Sequence, residues 1–507
     1  MKKAKMKKTV HNSPQIPQIR KGRRSRAENI KKAKISVFFA ALFVFSFALS
    51  GCAVFNTSLD GLLSAPRLTQ TQTEIYNALL LSLGGEAELV YPRSGNYRSA
   101  IILQNLDGEE TEEAIVFYRE KPPAGQLAAN NQGKGGIRAG FLDRQEGEWV
   151  TVVDCPIDGA DIESLDFYGF NDKITIGISC SVLSQTEKSL RLMQYDEGGV
   201  LNIFAGYYSF MEVLDLDGDG YEELFYVNYD SLVGYNSAKI WGLSSLYPDG
   251  ESDGNGQALT EISSVPLYTD ITTVQKMTVQ SMGQYQKYIF LDYFKGDNTY
   301  GTQLLFSYRN LLSSPYLDFE VRQDETFPRR SNQFMPLLYC GDIDGDGQIE
   351  IPSTEPITGY ETADAAEQLH FVRWYGISRE YEYDRTVEMH VPMVREYLSY
   401  CDVSGEYIFY IPVRWQGLIT AEKEGNIITF YKYDKTEILL SLCLSKEGIP
   451  KGERWRRFGS VGSNLYVNQP EGNIAAENSM ALTEDELNSC LVQRNQSDGT
   501  EKADNKK

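Results

Sequence analysis

Five carboxylates fall within nine residues at Asp215–Glu223, in the run VLDLDGDGYEELFYV. Counted from Asp215, the side chains of Asp215, Asp217 and Asp219 occupy positions one, three and five. Gly220 follows at six, the Tyr221 carbonyl is at seven and the Glu223 carboxylate at nine. The run DIDGDGQIEIP repeats the arrangement with Asp342, Asp344, Asp346, Gly347, Gln348 and Glu350. Oxygens at alternate positions around a glycine-permitted turn suit a hard cation, and calcium takes six to eight such ligands in a flexible cage. Three carboxylates forced together without a cation would repel one another, which favours calcium over an ion-free Asx-rich turn. Magnesium is disfavoured because it keeps its waters. An EF-hand is rejected: its loop needs Glu at position twelve, where this chain has Tyr226 or Ser353, and strand-like sequence flanks both loops. A weaker third copy, NLDGEETEEAIVF, offers Asn105, Asp107, Glu109, Thr111 and Glu113, with Glu110 in place of the turn glycine.

The loops need elements to hold them, and the chain supplies these at a regular interval. Between the three acidic copies lie two worn ones that keep a Gly at the fourth position, DFYGFNDKITIGI from Asp166 and QSMGQYQKYIFLDY from Gln280. The five starts are spaced 61, 49, 65 and 62 residues apart. Short runs rich in Tyr, Phe, Val and Ile, broken by turns, fill each interval and read as strands. Many short strands at a fixed period predict a mainly β fold, a degenerate β-propeller of five to seven blades. Helical spacing in TQTQTEIYNALLLSLG, Thr69–Gly84, predicts a lead-in helix. The propeller region is thus placed at residues 69–395. From 396 to 492 the acidic repeat stops, and four strands with a KEGN turn, then a helix capped by Thr483 and Glu486, predict a small α+β domain. Residues 493–507 read as a disordered polar tail.

The pattern D-x-D-G-D-G-x-x-E before an apolar strand, recurring at blade spacing, resembles the FG-GAP/VCBS repeats of integrin-alpha-like propellers over roughly Ser99–Val391. The resemblance implies that the loops sit in hairpins between strands and that the ten positions named in the two strong loops bind calcium. The family's ninth position is usually Asp, whereas this chain has Glu223 and Glu350. Repetition of one loop in successive blades assigns the ion a structural part, because a catalytic centre would be unique.

Other chemistry finds little purchase. His370 and His390 lie in strand-like runs without an HExxH pattern, and no GxSxG, GxGxxG or P-loop occurs. Trp149, Trp241 and Trp374 fall late in their blades and read as filler between blades more than as sugar platforms, as do Trp415 and Trp455 farther on. Cys155, Cys180, Cys340, Cys401, Cys443 and Cys490 show no CxxC spacing, which leaves buried thiols or bridges and makes zinc improbable.

The first 34 residues carry thirteen Lys/Arg and one acid, and ISVFFAALFVFSFA and then LSGC follow. A basic segment, a short apolar run and a small-residue site make a secretory signal; a membrane span would need about 20 apolar residues. LSGC resembles a bacterial lipobox, so residues 1–52 are read as a lipoprotein signal ending at lipidated Cys52, with 53–68 as linker. Losing the leader's +12 moves the formal charge from −21 to −33, which excludes nucleic acid as a partner. The sequence therefore predicts a protein anchored outside a bacterial cell membrane that binds a protein or a surface glycan without catalysis. The alternative is an extracellular polysaccharide hydrolase or lyase on a propeller scaffold; a third is a purely structural envelope protein. Replacing Cys52 by Ala is expected to abolish palmitate labelling in a bacterial host and to release the chain from the membrane fraction.

Overall fold

A computed structural model describes residues 68–120, 136–170, 173–182, 187–196, 198–230, 235–243, 259–295, 299–319, 329–331, 338–357, 359–360, 369–378, 390–402, 404, 406–452, 454, 455–459, 464–470 and 479–493. The signal segment, Cys52, most of the linker and the tail from 494 lie outside the described residues. The fold is mainly β, a propeller-like succession of antiparallel sheets.

In the first sheet Glu113–Glu120, Ile137–Gln145 and Glu148–Ile157 run as a meander, and Ala87–Leu89 and Ile101–Gln104 together supply the outer strand. The second sheet is Asp161–Phe170, Lys173–Ser181, Lys188–Asp196 and Gly199–Tyr208. The third is Phe210–Leu214, Glu223–Asp230, Tyr235–Leu243 and Leu259–Pro266, and the fourth is Ile271–Ser281, Gln286–Lys295, Thr299–Tyr308 and Leu311–Ser313. Arg329–Ser331 also pairs with Thr299–Tyr308. The fifth opens with the bridge Gly341–Glu350 and continues through Ile351–Pro356, His370–Ile377 and His390–Cys401. Tyr316–Phe319 adds to His390–Cys401 in parallel. All five expected starts fall at or just before the first hairpin of successive sheets. The Asn105, Asp215 and Asp342 loops occupy that hairpin; Asp166 and Gln280 lie on the strand leading into it.

Five core clusters lie between consecutive sheets, and a further one, around Trp374 and Ile408, belongs to the fifth sheet alone. In the strand Gln286–Lys295, Ile289 and Leu291 pack toward the third sheet with Phe225 and Val227, while Tyr288 and Phe290 pack toward the fifth with Ile351 and Val391. In Glu223–Asp230 the same alternation sends Leu224 and Tyr226 to the second sheet. Side chains alternate faces along a strand, so a continuous apolar run is what a strand buried on both faces requires. The helix Gln70–Leu83 covers the first sheet with Ile75 and Leu79, both 0% exposed. Gly140 leaves room for Leu79 beneath it, since a Cβ would lie 3.0 Å from Leu79 Cδ1.

The boundary expected between 395 and 396 falls inside the strand His390–Cys401, and Tyr407–Tyr410 and Leu491–Gln493 extend that same fifth sheet. The charge pattern changes there because no further acidic loop follows, while the hydrogen-bond ladder runs on. The last sheet is Ile419–Glu424, Ile427–Lys432, Ile438–Ser445, Asn464–Asn468 and Trp455–Gly459, with Asn464–Asn468 lying between the last two in the sheet. It packs on the fifth around Trp415 and Phe430. The helix Glu484–Cys490 has the expected capping box: Glu486 N donates to Thr483 Oγ1, and Thr483 N to Glu486 Oε2. Phe225→Ala, at a side chain that is 0% exposed between the third and fourth sheets, is expected to cost about 3–5 kcal/mol in urea denaturation.

Candidate metal centres

Each acidic loop is built on one backbone plan. In the Asp215 loop, Gly218 N and Gly220 N donate to Asp215 Oδ1 and Oδ2 at 2.6 and 3.1 Å, and Asp219 N donates to Asp217 Oδ1 at 3.1 Å. Tyr221 N donates to Asp219 Oδ1 at 2.8 Å, and Leu216 N to Glu223 Oε2 at 2.9 Å. The Asp342 loop repeats all five: Gly345 N and Gly347 N on Asp342, Asp346 N on Asp344, Gln348 N on Asp346 and Ile343 N on Glu350. The chain must double back within a few residues, and the glycines make this possible. Gly218 and Gly220 have φ of 76° and 94°, Gly345 and Gly347 82° and 87°, a region that costs glycine little. Gly218 also admits a close approach, because a Cβ there would collide with the Gln284 carbonyl of the fourth sheet.

Turning the loop this way gathers three carboxylates. Oxygens of Asp215, Asp217 and Glu223 all lie within 4.8 Å of one another, and so do those of Asp342, Asp344 and Glu350. Either group could hold a metal ion, and oxygen-only donors select a hard cation. Of the five ligands expected in each loop, these three converge. Asp219 and Asp346 remain exposed on the rim with Oδ1 taken by the next-but-one amide; Tyr221 and Gln348 supply those amides and are half-buried. Gln348 Nε2 adds a bond to Asp346 Oδ2 at 3.2 Å.

The two triads differ in depth. Asp217 and Glu223 are buried while Asp342 and Asp344 are exposed; Glu350 is buried like Glu223. Burial, and then the charges of Asp344, Asp346 and Asp342, push the Glu350 carboxyl up to about 7, against a lowering hydrogen bond from Ile343 N. A divalent cation would replace that proton and relieve the crowding of like charges.

The Asn105 loop keeps part of the plan. Gly108 N donates to Asn105 Oδ1 at 2.7 Å, Glu109 N to Asp107 Oδ1 at 3.0 Å, and Leu106 N to Glu113 Oε2 at 2.6 Å. Asn105 has only one acceptor oxygen, and its Nδ2 turns to the Glu109 carbonyl. Glu110 stays out of the positive-φ region that Gly220 and Gly347 occupy, so the turn is looser where the glycine is missing. Glu109 and Thr111 are exposed. Glu113 is 1% exposed and its Oε1 is buried with no hydrogen-bond partner, with its carboxyl raised chiefly by burial. Burial thus favours the protonated carboxyl here, and among the described residues this loop gathers no carboxylate triad like the other two.

Partners from distant strands, invisible to local spacing, also reach the loops. Asn310 Nδ2 donates to Asp217 Oδ2, the Tyr397 hydroxyl to Asp344 Oδ2, and Ile349 N to Gln280 Oε1. Gly169 N of the second sheet's worn repeat donates to Glu222 Oε2.

His370 is 5% exposed, and burial lowers its proton affinity; the His390 side chain lies outside the described residues. Trp374 and Trp415 are buried, Trp241 packs edge-on to Phe204 between the second and third sheets, and Trp149 lies under Arg144. Trp455 is half-buried. The six cysteines from Cys155 to Cys490 are free thiols. Burial pushes the Cys180 thiol up to about 12, which leaves it inert as a nucleophile.

No family model matches the chain, and no curated protein matches it. Among solved structures it is similar to a hypothetical selenium-binding protein from Sulfolobus tokodaii, at 13% identity and a TM-score of 0.23, over 43% of this chain and 56% of that one. It is also similar to the exotype rhamnogalacturonan lyase YesX, at 10% identity and a TM-score of 0.23, over 69% of this chain and 62% of that one. The chain thus spans less than two thirds of either, and overlap at these scores carries no functional argument. Among the described residues no helix is long and apolar enough to cross a membrane.

Glu350 yields a pH dependence. Its raised folded-state value means that its stabilising contribution in the ion-free chain is complete below its ordinary 4.5 and is lost as pH rises through about 7. The melting temperature of the chain in EDTA is expected to fall across that window by more than in Glu350→Gln, as read by differential scanning calorimetry at a series of pH values.

Proposed function

We propose that the chain is a membrane-anchored extracytoplasmic binding protein whose sheets are stapled by structural calcium. The observation that carries the reading is repetition: one full hydrogen-bond plan recurs in two loops, and the bond from the second residue's amide to a buried ninth-position glutamate recurs at the first hairpin of three sheets. A centre that performs chemistry has no reason to be copied along the fold, whereas a staple does. Calcium is preferred among hard cations because the donors are carboxylates and backbone groups on a glycine-rich loop, the flexible all-protein cage that calcium accepts and magnesium resists. Lipid on Cys52 would fix the chain to the membrane, and the sheets would present hairpin loops to a protein or to a surface glycan. That last step rests on analogy from fold.

Melting the intact chain in excess EDTA and then in millimolar calcium tests the staple. Free calcium about 100-fold above Kd should stabilise by about 2.7 kcal/mol per site, and Asp217→Ala/Asp344→Ala should remove the gain. A melting curve that ignores calcium would sink the reading. Turnover of a cell-wall or plant glycan, lost on replacing one carboxylate, would replace binding by polysaccharide cleavage.

A further inference from the structure

The aspartate at the third position of each strong loop is held from outside its own loop. Asp217 Oδ2 accepts from Asn310 Nδ2 at 2.9 Å, and Asp344 Oδ2 from the Tyr397 hydroxyl at 2.7 Å. The two donors differ in kind. Tyr397 belongs to the fifth sheet, the same sheet as its loop. Asn310 belongs to the fourth sheet, on the turn between Thr299–Tyr308 and Leu311–Ser313, and reaches across to the third. Asn310 is 0% exposed and has a φ of 62°, a conformation that Asn tolerates better than most residues.

This geometry immobilises a carboxylate before any ion arrives. Asp217 Oδ1 is engaged by Asp219 N and Oδ2 by Asn310, so the group cannot rotate away from Asp215 and Glu223. The Gly218 tip meets the Gln284 carbonyl, which gives the fourth sheet a second grip on the same loop. The fourth sheet has no acidic loop at its own first hairpin. On its other side it holds the Asp342 loop, through Gln280 on Ile349 N and Asp292 on Cys340 N.

We infer that Asn310 is a positioning residue for the Asp215–Asp217–Glu223 cation site, and that through it ion binding on the third sheet locks the fourth sheet in place. The inference rests on the cation reading above, in which Asp215, Asp217 and Glu223 converge within 4.8 Å. Outer-shell donors to metal-ligating groups are worth about 10–100-fold in affinity. Asn310 therefore sets the strength of one site and couples it to a neighbouring sheet, while Tyr397 acts within a single sheet.

The test uses calcium alone with the intact chain. Isothermal titration of wild type, Asn310→Gly and Tyr397→Phe is paired with amide exchange over residues 299–308. Glycine keeps the left-handed backbone without strain and removes the amide that holds Asp217 together with the rest of the buried side chain. Asn310→Gly is expected to weaken one calcium site by about 10–100-fold, leave the other unchanged, and erase the calcium-dependent protection of 299–308. Tyr397→Phe is expected to weaken the other site and leave that protection intact. Wild-type affinity at both sites in Asn310→Gly would overturn the inference. So would an equal drop in melting temperature with and without calcium, which would mark Asn310 as structural only. A wild-type chain that takes up no calcium would overturn the cation reading itself, and the positioning role with it.

Discussion

A strand buried on both faces must find packing partners on each side, and the rest of this fold follows from that constraint. Phe225 and Tyr226 are neighbours in sequence and belong to different cores; so do Ile289 and Phe290. Each central strand therefore demands a sheet on either side, and the chain supplies one after another. A lone four-stranded meander would leave one of these faces in water at about 25 cal/mol per Å² of apolar surface. Stacking is the only arrangement that satisfies both faces, and it makes each sheet's stability depend on its neighbours.

The acidic loops sit where a sheet begins its second strand, and the glutamate at the ninth position is the first residue of that strand or immediately precedes it. Glu113, Glu223 and Glu350 are buried because the ladder starts beneath them, yet each accepts the amide of the loop's second residue. That bond closes the hairpin and holds a carboxylate in a partly dry setting, where an uncompensated charge is costly. The hairpin and the gathering of carboxylates thus share the same bond. The two worn repeats serve as neighbours: Gly169 and Gln280 hold Glu222 and Ile349 from adjacent sheets.

Much of this is legible in the residues alone. The spacing of the five starts marks five first hairpins because each sheet needs a similar length of chain for its strands. Thr483 and Glu486 announce a helix start by local hydrogen-bonding chemistry, and Asp, Gly and Glu at fixed offsets announce a loop that folds on itself. The boundary near residue 396 is less legible. A change in charge pattern reflects the end of the acidic repeat, while sheet membership depends on which strand Tyr407–Tyr410 finds, a matter of contacts far along the chain.

The sequence by itself determined the strand content and the two acidic loops, which depend on residues within about a dozen positions of one another, and the interval at which the loops recur. Tertiary structure alone decided which of five nominal ligands converge, why Asp219 and Asp346 stay on the rim, and that Asn310 and Tyr397 hold the central aspartates. The holding contacts join side chains 93 residues apart across two sheets and 53 residues apart within the fifth. No local pattern encodes such a meeting, because it exists only once the apolar faces have packed.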